Sequence, residues 1–328
     1  MLVSVIIPVY NGEKYLHECL ESVSACPSNE MECIIVNDGS TDGTSDICKE
    51  FIGRDSRFRV IDKQNSGVSD SRNKGIADAA GKYIFFLDAD DYINSVHWHE
   101  IINTAGTGEY DMIAYGYYCL FDSGKIHAET FPDNMCIKYA LLSTTLLNPC
   151  WGKLLRREVI IENNLIFRKE LRTCEDAIFI LDFISIAKDF MLSNTTILYY
   201  RIHNEGVMRQ ASFNDKLSDF ADLLAARKKY LNDNYDEKLK QSMNREFFSV
   251  ITDMFRSNAR DKSLPEIRRM YKESMKHDTY RSIIQETKMN YLSPFFKKME
   301  LILMRGGFYT VLAVYFRVKL SLTTLKVG

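Results

Sequence analysis

Leu2-Val3-Ser4-Val5-Ile6-Ile7-Pro8-Val9 opens the chain and runs into Tyr10-Asn11-Gly12. A short apolar run rich in β-branched residues reads as a strand buried on both faces. The pattern returns at Cys33–Val36, Phe58–Ile61 and Tyr83–Leu87, each followed by a polar loop. Between these runs lie helix-like stretches around Tyr15–Ser24, Thr44–Ile52 and Ser69–Ala80. Strand–helix–strand repetition predicts an α/β fold, a mostly parallel sheet with helices on both faces. In such sheets ligands bind beyond the carboxyl ends of the strands. The loops after Pro8, Val36, Ile61 and Leu87 are therefore where chemistry is expected. Further on, Met112–Phe121 and Thr196–Arg201 predict strands and Cys174–Ala187 a helix.

The 328 residues are 46% hydrophobic and 26% charged, the composition of a globular protein with ample core. The formal charge of −2 gives no whole-chain attraction to nucleic acid, but the charge is unevenly spread. Residues 1–210 carry 20 basic and 30 acidic side chains, and residues 211–328 carry 22 and 14. Two regions are expected, an acidic 1–210 and a basic 211–328. In the second, Phe213, Leu217, Phe220, Leu224 and Leu231, then Leu239, Met243, Phe247, Ile251 and Met254, recur at helical spacing and predict packed helices. Eight cysteines include no Cys-x-x-Cys pair, which excludes a zinc ribbon or thioredoxin-type motif and predicts reduced, core-filling thiols. Met1 leads into the first strand without a basic n-region, and no run reaches the roughly 18 apolar residues of a spanning helix. A cytoplasmic compartment is expected.

The four loops carry the chemistry. Pro8-Val9-Tyr10-Asn11-Gly12 follows the first strand, and Asn37-Asp38-Gly39-Ser40-Thr41-Asp42-Gly43 the second. A carboxylate on a glycine turn can accept from a base N–H or a ribose hydroxyl; the same residues also make helix caps. In the third loop, Gly67, Ser71, Arg72 and Asn73 stand where a helix opens. Free N–H groups there favour anions, and the Arg72 guanidinium forks onto phosphate or pairs with Asp70 or another carboxylate. The fourth loop is the sharpest: Phe85-Phe86-Leu87 runs straight into Asp88-Ala89-Asp90-Asp91. Three carboxylates in four residues repel one another unless a cation neutralises them. Oxygen ligands at a strand end suit Mg²⁺ or Mn²⁺ bridging to a diphosphate.

In their order, Ser4–Asn11, Val36–Thr44, Gly67–Gly75 and Phe86–Asp91 resemble the family-two nucleotide-sugar glycosyltransferases of GT-A fold. The resemblance is dense over residues 1–92 and thinner to about 210. It implies a UDP-sugar donor, transfer with inversion, Asp38 at the base, Asp88 near the ribose and Asp90 as the metal-binding member of the D-x-D motif. Pro8, Val9, Tyr10, Asn11, Gly39 and Ala89 would complete the nucleotide-sugar site. Thr173-Cys174-Glu175-Asp176 resembles the family's Glu-Asp motif, which would make Asp176 the catalytic base. Asn148–Leu154 resembles a Trp-x-Lys-Leu segment near donor and acceptor, where Trp151 suits a sugar and Lys153 the diphosphate; a buried Trp beside a surface Lys is the other reading. Tyr199–His203 resembles a segment near the active site, where His203 would complete the metal shell or serve as a structural histidine.

The chain lacks the Gln-x-x-Arg-Trp motif and spanning helices of processive synthases, which favours transfer of one sugar to a glycan or lipid-linked acceptor of a surface polysaccharide, capsule or O-antigen. A nucleotidyltransferase would carry a glycine-rich basic signature at its first strand, and a dehydrogenase a Gly-x-Gly-x-x-Gly; neither is present. A catalytically dead glycan- or membrane-binding scaffold remains the non-enzyme alternative. Pro294–Gly328 interleaves Lys297, Lys298, Arg305, Arg317, Lys319 and Lys326 with aromatic and aliphatic residues. That pattern suits a helix lying on the inner face of the cell membrane; packing on the body of the protein or an oligomer contact is the other reading.

Overall fold

The opening apolar run forms β1 (Val3–Val9), every residue of it buried. The chain continues through α1 (Leu16–Ser24), β2 (Met31–Asn37), α2 (Thr44–Arg54), β3 (Phe58–Asp62), α3 (Val68–Asp78) and β4 (Tyr83–Phe86). The four strands pair in parallel in the order β3-β2-β1-β4, so all four polar loops leave one edge. The computed structural model describes residues 1–27, 29–203, 213–233, 236–258, 262–293 and 295–324, with backbone alone at 213–215, 233, 257–258 and 317–324. The chain divides into two units, Met1–Leu141 with Thr145–Gln210, and Leu142–Thr144 with Ala211–Gly328.

Close packing sets α3 over this edge. A Cβ on Gly75 would stand 2.4 Å from Ile6 Cγ2 of β1, so only glycine lets the helix come this near. At the opposite end of the strands, the Ser4 hydroxyl donates to Glu32 Oε1 (2.5 Å) and accepts the Gly81 N–H (2.8 Å). Glu32 also accepts the Ala80 N–H (2.8 Å) and Arg59 Nε (3.2 Å). Burial alone would raise the Glu32 pKa, but these partners, Ser4 first, hold it below its ordinary value.

Past β4 come β5 (Tyr92–Ile93), α4 (Trp98–Thr107), β6 (Met112–Phe121), β7 (Ile126–Glu129), α5 (Ile137–Ser143), β8 (Lys153–Arg156), α6 (Arg157–Glu162), α7 (Glu175–Ile186) and β9 (Phe190–Ile202). They extend the sheet as β4-β8-β6-β9-β5, with β7 on the side of β6. Strand β8 is antiparallel to both β4 and β6, whereas β9 runs parallel to β6. The expected strand at Met112–Phe121 and helix at Cys174–Ala187 are present, and the strand expected at Thr196–Arg201 begins six residues earlier.

The second unit is helical: α8 (Phe213–Asp233), α9 (Glu237–Asn258), α10 (Leu264–Ser274), α11 (Asp278–Glu286), α12 (Phe295–Arg305) and α13 (Tyr309–Thr324). The predicted stripes are its core, with Leu217, Leu224, Leu231, Met243, Phe247 and Ile251 buried; the Phe213 side chain lies outside the described residues. Ser263 and Glu266 close a capping box at the start of α10. All eight cysteines are free, and Cys136 is the exposed one.

Candidate active site

Strand β4 delivers the acidic run to the sheet edge. Ligand-capable oxygens of Asp88, Asp90 and Asp91 lie within 4.8 Å of one another, the one such group among the described residues. Asp91 is buried; its Oδ1 accepts the Arg201 N–H (2.8 Å), and its Oδ2 has no partner. Burial, then Asp90 and Asp88, pushes the Asp91 pKa well up. Burial likewise lifts Asp88, to about 6, against the pull of Arg72. His203 Nε2 stands 2.8 Å from Asp90 Oδ2, and its ring stacks on Tyr15. A hard divalent cation fits this donor set: it would neutralise mutually repelling carboxylates and give the orphaned Asp91 oxygen a partner.

The first two loops lock together into a floor beside the cluster. Asn11, in a left-handed conformation, donates its N–H to Ser40 Oγ (2.9 Å) and accepts the Thr41 N–H at its side chain (2.8 Å). The Gly12 N–H reaches Thr44 Oγ1 (2.9 Å), the Glu13 N–H reaches Asp42 (3.0 Å), and Glu13 in turn accepts the Gly43 N–H (3.0 Å). Pro8 and Val9 are buried in β1, whereas the Tyr10 side chain stands 53% exposed above this floor. Asp38 is buried and ties the second loop to the third. Its oxygens accept from Lys63 Nζ, the Ser66 N–H (2.9 Å) and the Gly67 N–H (2.8 Å). Gly39 and Gly67 both have positive φ, and a Cβ on Gly39 would lie 2.9 Å from the Asn65 nitrogen. Ser71 is buried one turn into α3, with its hydroxyl bonded to the Gly67 carbonyl.

Arg72 is the centre of the site. Only 3% exposed, it sends Nη1 to Asp176 Oδ1 (2.5 Å) and Glu175 Oε1 (3.0 Å), and Nη2 to Asp88 Oδ1 (3.0 Å). Asp176 stands in the first turn of α7, which Cys174 enters in a left-handed conformation. Its second oxygen accepts the Cys150 N–H at 3.2 Å. Burial and the neighbouring Asp176 push Glu175 up to about 7. Two distant segments, 72 and 176, thus meet on one guanidinium with the end of β4 between them.

Of the two readings the sequence left open for Arg72, the structure shows carboxylate pairing, with Asp88, Glu175 and Asp176 and not Asp70. Asn73 faces Phe167: its Nδ2 donates to the Phe167 carbonyl and its Oδ1 accepts the Phe167 N–H, both at 2.8 Å. Lys153 begins β8 with its amine buried, donating to the carbonyls of Pro149 (2.7 Å) and Trp151 (3.3 Å), and burial lowers its pKa to about 8. Trp151 is 5% exposed, stacked on Tyr200 and edge-on to Tyr117. Ala89 makes the bend between Asp88 and Asp90 and lies 3.9 Å from a Cβ built on Gly12. The sequence reading assigned no role to Phe167 or Tyr15, nor to Cys150 and Arg201 within the segments it quoted, because these act through backbone groups or ring faces.

Residues 4–162 match Glycosyl transferase family 2. EpsH of Bacillus subtilis is 36% identical over 217 residues, which are 63% of this chain and 63% of EpsH. The poly(ribitol-phosphate) beta-glucosyltransferase of Bacillus spizizenii is 30% identical over 213 residues, 63% of this chain and 33% of that protein. These alignments span less than two thirds of either relative. Among solved structures, S. aureus TarS 1-349 in complex with UDP-GlcNAc superposes with a TM-score of 0.72 at 22% identity, covering 97% of this chain and 92% of that one. At that identity the likeness speaks for the fold. Residues 4–162 are a family-2 glycosyltransferase domain, and the architecture of the chain is that of TarS, the GT-A fold.

Proposed function

We propose that the protein transfers a single sugar, with inversion, from a UDP-sugar to a hydroxyl of a glycan or lipid-linked acceptor in surface-polysaccharide synthesis. The observation that carries this reading is one fork of Arg72, which holds Asp88 of the acidic cluster and Asp176 of α7 side by side. Inversion needs those two elements adjacent: a donor site for the diphosphate and, facing it, a base for the incoming hydroxyl. Asp176 takes the acceptor proton as the acceptor oxygen bonds to the anomeric carbon; the bond to UDP breaks on the opposite face, and UDP leaves with the electron pair. The locked loops at 10–13 and 38–44 present the nucleotide with a preformed floor, and Tyr10 offers an exposed ring for the base to lie against. Asp88, Asp90 and Asp91, with His203, would hold Mn²⁺ or Mg²⁺. Such an ion supplies positive charge against the departing diphosphate.

The relatives support the substrate class, since TarS is solved with UDP-GlcNAc and the Bacillus spizizenii protein is named for poly(ribitol-phosphate). A panel of UDP-sugars tests the reading. The true donor should raise the thermal midpoint in the presence of Mn²⁺ and release UDP on turnover. No stabilisation and no UDP release with any member of the panel would overturn it. Stabilisation without release on supply of acceptor would indicate the inactive scaffold instead.

We further place the protein on the inner face of the cell membrane. Among the described residues no helix is long and apolar enough to cross a bilayer. Yet Phe295, Phe296 and Ile302 of α12, and Val311 and Val314 of α13, stand 45–72% exposed, with Phe308 between the helices. That is a surface to lie on lipid, close to a lipid-linked acceptor.

A further inference from the structure

We infer that Arg72 and Lys153, the two cations whose sequence context points to the diphosphate, are positioning residues for Asp176. The inference rests on the functional reading above and specifies how its base is held.

Asp176 has two oxygens, and each meets one fixed donor. Arg72 Nη1 fixes Oδ1 at 2.5 Å, and the Cys150 N–H fixes Oδ2 at 3.2 Å. Each donor has its own mount. The Arg72 guanidinium lies over the Phe167 ring, 5.2 Å from its centroid, and Phe167 is stacked on Phe179. The two-way amide clamp of Asn73 holds the Phe167 backbone. Arg72 and Asn73 are neighbours on α3, so one helical segment sets both the guanidinium and the ring beneath it. The Cys150 N–H belongs to the turn at residues 149–152, and the buried Lys153 amine spans that turn by bonding the Pro149 and Trp151 carbonyls. The Lys153 amine is thus occupied by two carbonyls, and the Arg72 guanidinium, 3% exposed, by three carboxylates.

The arrangement has a directional logic. A base works when its carboxylate plane is held toward the acceptor hydroxyl, and misplacement of about 1 Å can cost 10²-fold in rate. Because Arg72 also grips Asp88, the acceptor-side base is registered against the donor-side cluster by one rigid planar group. Lysine at 72 would keep the charge but lose the planar registration, since its ammonium is a single point of attachment.

Three variants separate positioning from donor binding: Arg72→Lys, Lys153→Met and Asp176→Asn. UDP affinity with Mn²⁺, measured by calorimetry, should stay within about threefold of wild type in all three. UDP release from the donor should fall by about 10²-fold in Arg72→Lys and about tenfold in Lys153→Met. The double variant Arg72→Lys/Asp176→Asn should be no slower than Asp176→Asn alone, because Arg72 acts through that carboxylate. A loss of UDP affinity of tenfold or more with turnover preserved, or a multiplicative fall in the double variant, would overturn the inference. A thermal-midpoint cycle on the same four proteins needs no nucleotide. Its two single shifts should sum to more than the double shift, and strict additivity counts against the inference whether or not turnover is seen. Failure of the wild type to bind UDP or release it tells against the functional reading alone.

Discussion

Asp90 and Asp176 divide the proposed chemistry between them, and their substitutions should fail differently. Asp90→Ala removes the carboxylate that His203 contacts at 2.8 Å and leaves Asp91, the buried member, in place. The fold should survive, while metal-dependent UDP release disappears; full activity in that variant, or in wild type treated with EDTA, contradicts the metal's role. Asp176→Asn keeps shape and hydrogen bonding but cannot take a proton. Donor binding should persist while transfer drops by about 10²–10⁴-fold, and near-normal transfer would assign the base elsewhere. At this scale the sequence was legible wherever a side chain's job follows from its type. Clustered carboxylates at a strand end announce themselves; the Glu-Asp pair at a helix start reads as a cap until the family resemblance is considered. The direction a cation points does not announce itself. Neither the three carboxylates around Arg72 nor the burial of the Lys153 amine can be read from residue type.

The elements of residues 1–91 were readable because the strands are largely apolar runs bounded by polar loops, although α3 buries mostly polar residues, Ser69, Ser71 and Arg72 among them. β8 was not readable, being four residues whose pairing with both β4 and β6 exists only in the assembled sheet. Two predictions belong here. Gly75→Ala drives a methyl into Ile6 and should destabilise the first unit by about 1–3 kcal/mol, measured by denaturant unfolding; an unchanged midpoint would mean that α3 can lift freely off β1. Glu32, hydrogen-bonded by Ser4, the Ala80 amide and Arg59, has a folded-state pKa below its unfolded one of about 4.3. Its contribution is therefore present above that pH and lost as pH falls through the folded value. The stability gap between wild type and Glu32→Gln should be widest near neutrality and close in acid. A gap constant from pH 7 to 3 would remove Glu32 from the account.

For the whole molecule, the testable feature is the apolar surface on the last two helices. Sequence alone suggests cutting the chain near Ser293, but α12 and α13 also bury Leu301, Met304, Leu312 and Phe316. Truncation would therefore open the helical core. Substitution of exposed residues is cleaner: Phe295→Ser with Phe308→Ser and Val311→Ser leaves those buried contacts intact. Wild type should sediment with vesicles containing anionic lipid and the triple variant should not, with Lys298 adding roughly 1 kcal/mol at the surface; Arg305 is instead bonded to the Ile284, Gln285 and Thr287 carbonyls. Equal sedimentation of the two, or none by either, removes the membrane assignment. Of the basic residues expected to assist, the Arg317 and Lys319 side chains and Lys326 lie outside the described residues.

The contacts that complete the site are far apart along the chain. Arg72 meets Asp176 across 104 positions, and Asp91 meets the Arg201 N–H across 110. During synthesis, the parallel strands β1 to β4 can pair while the remainder is still on the ribosome. Closing those long loops carries an entropy cost that only the later strands and α7 repay. A nascent chain released up to residue 91 therefore holds an acidic cluster without its arginine backbone partner and an arginine without its aspartate. On the proposed reading, that intermediate has the loops assigned to the nucleotide but not yet the carboxylate assigned as base.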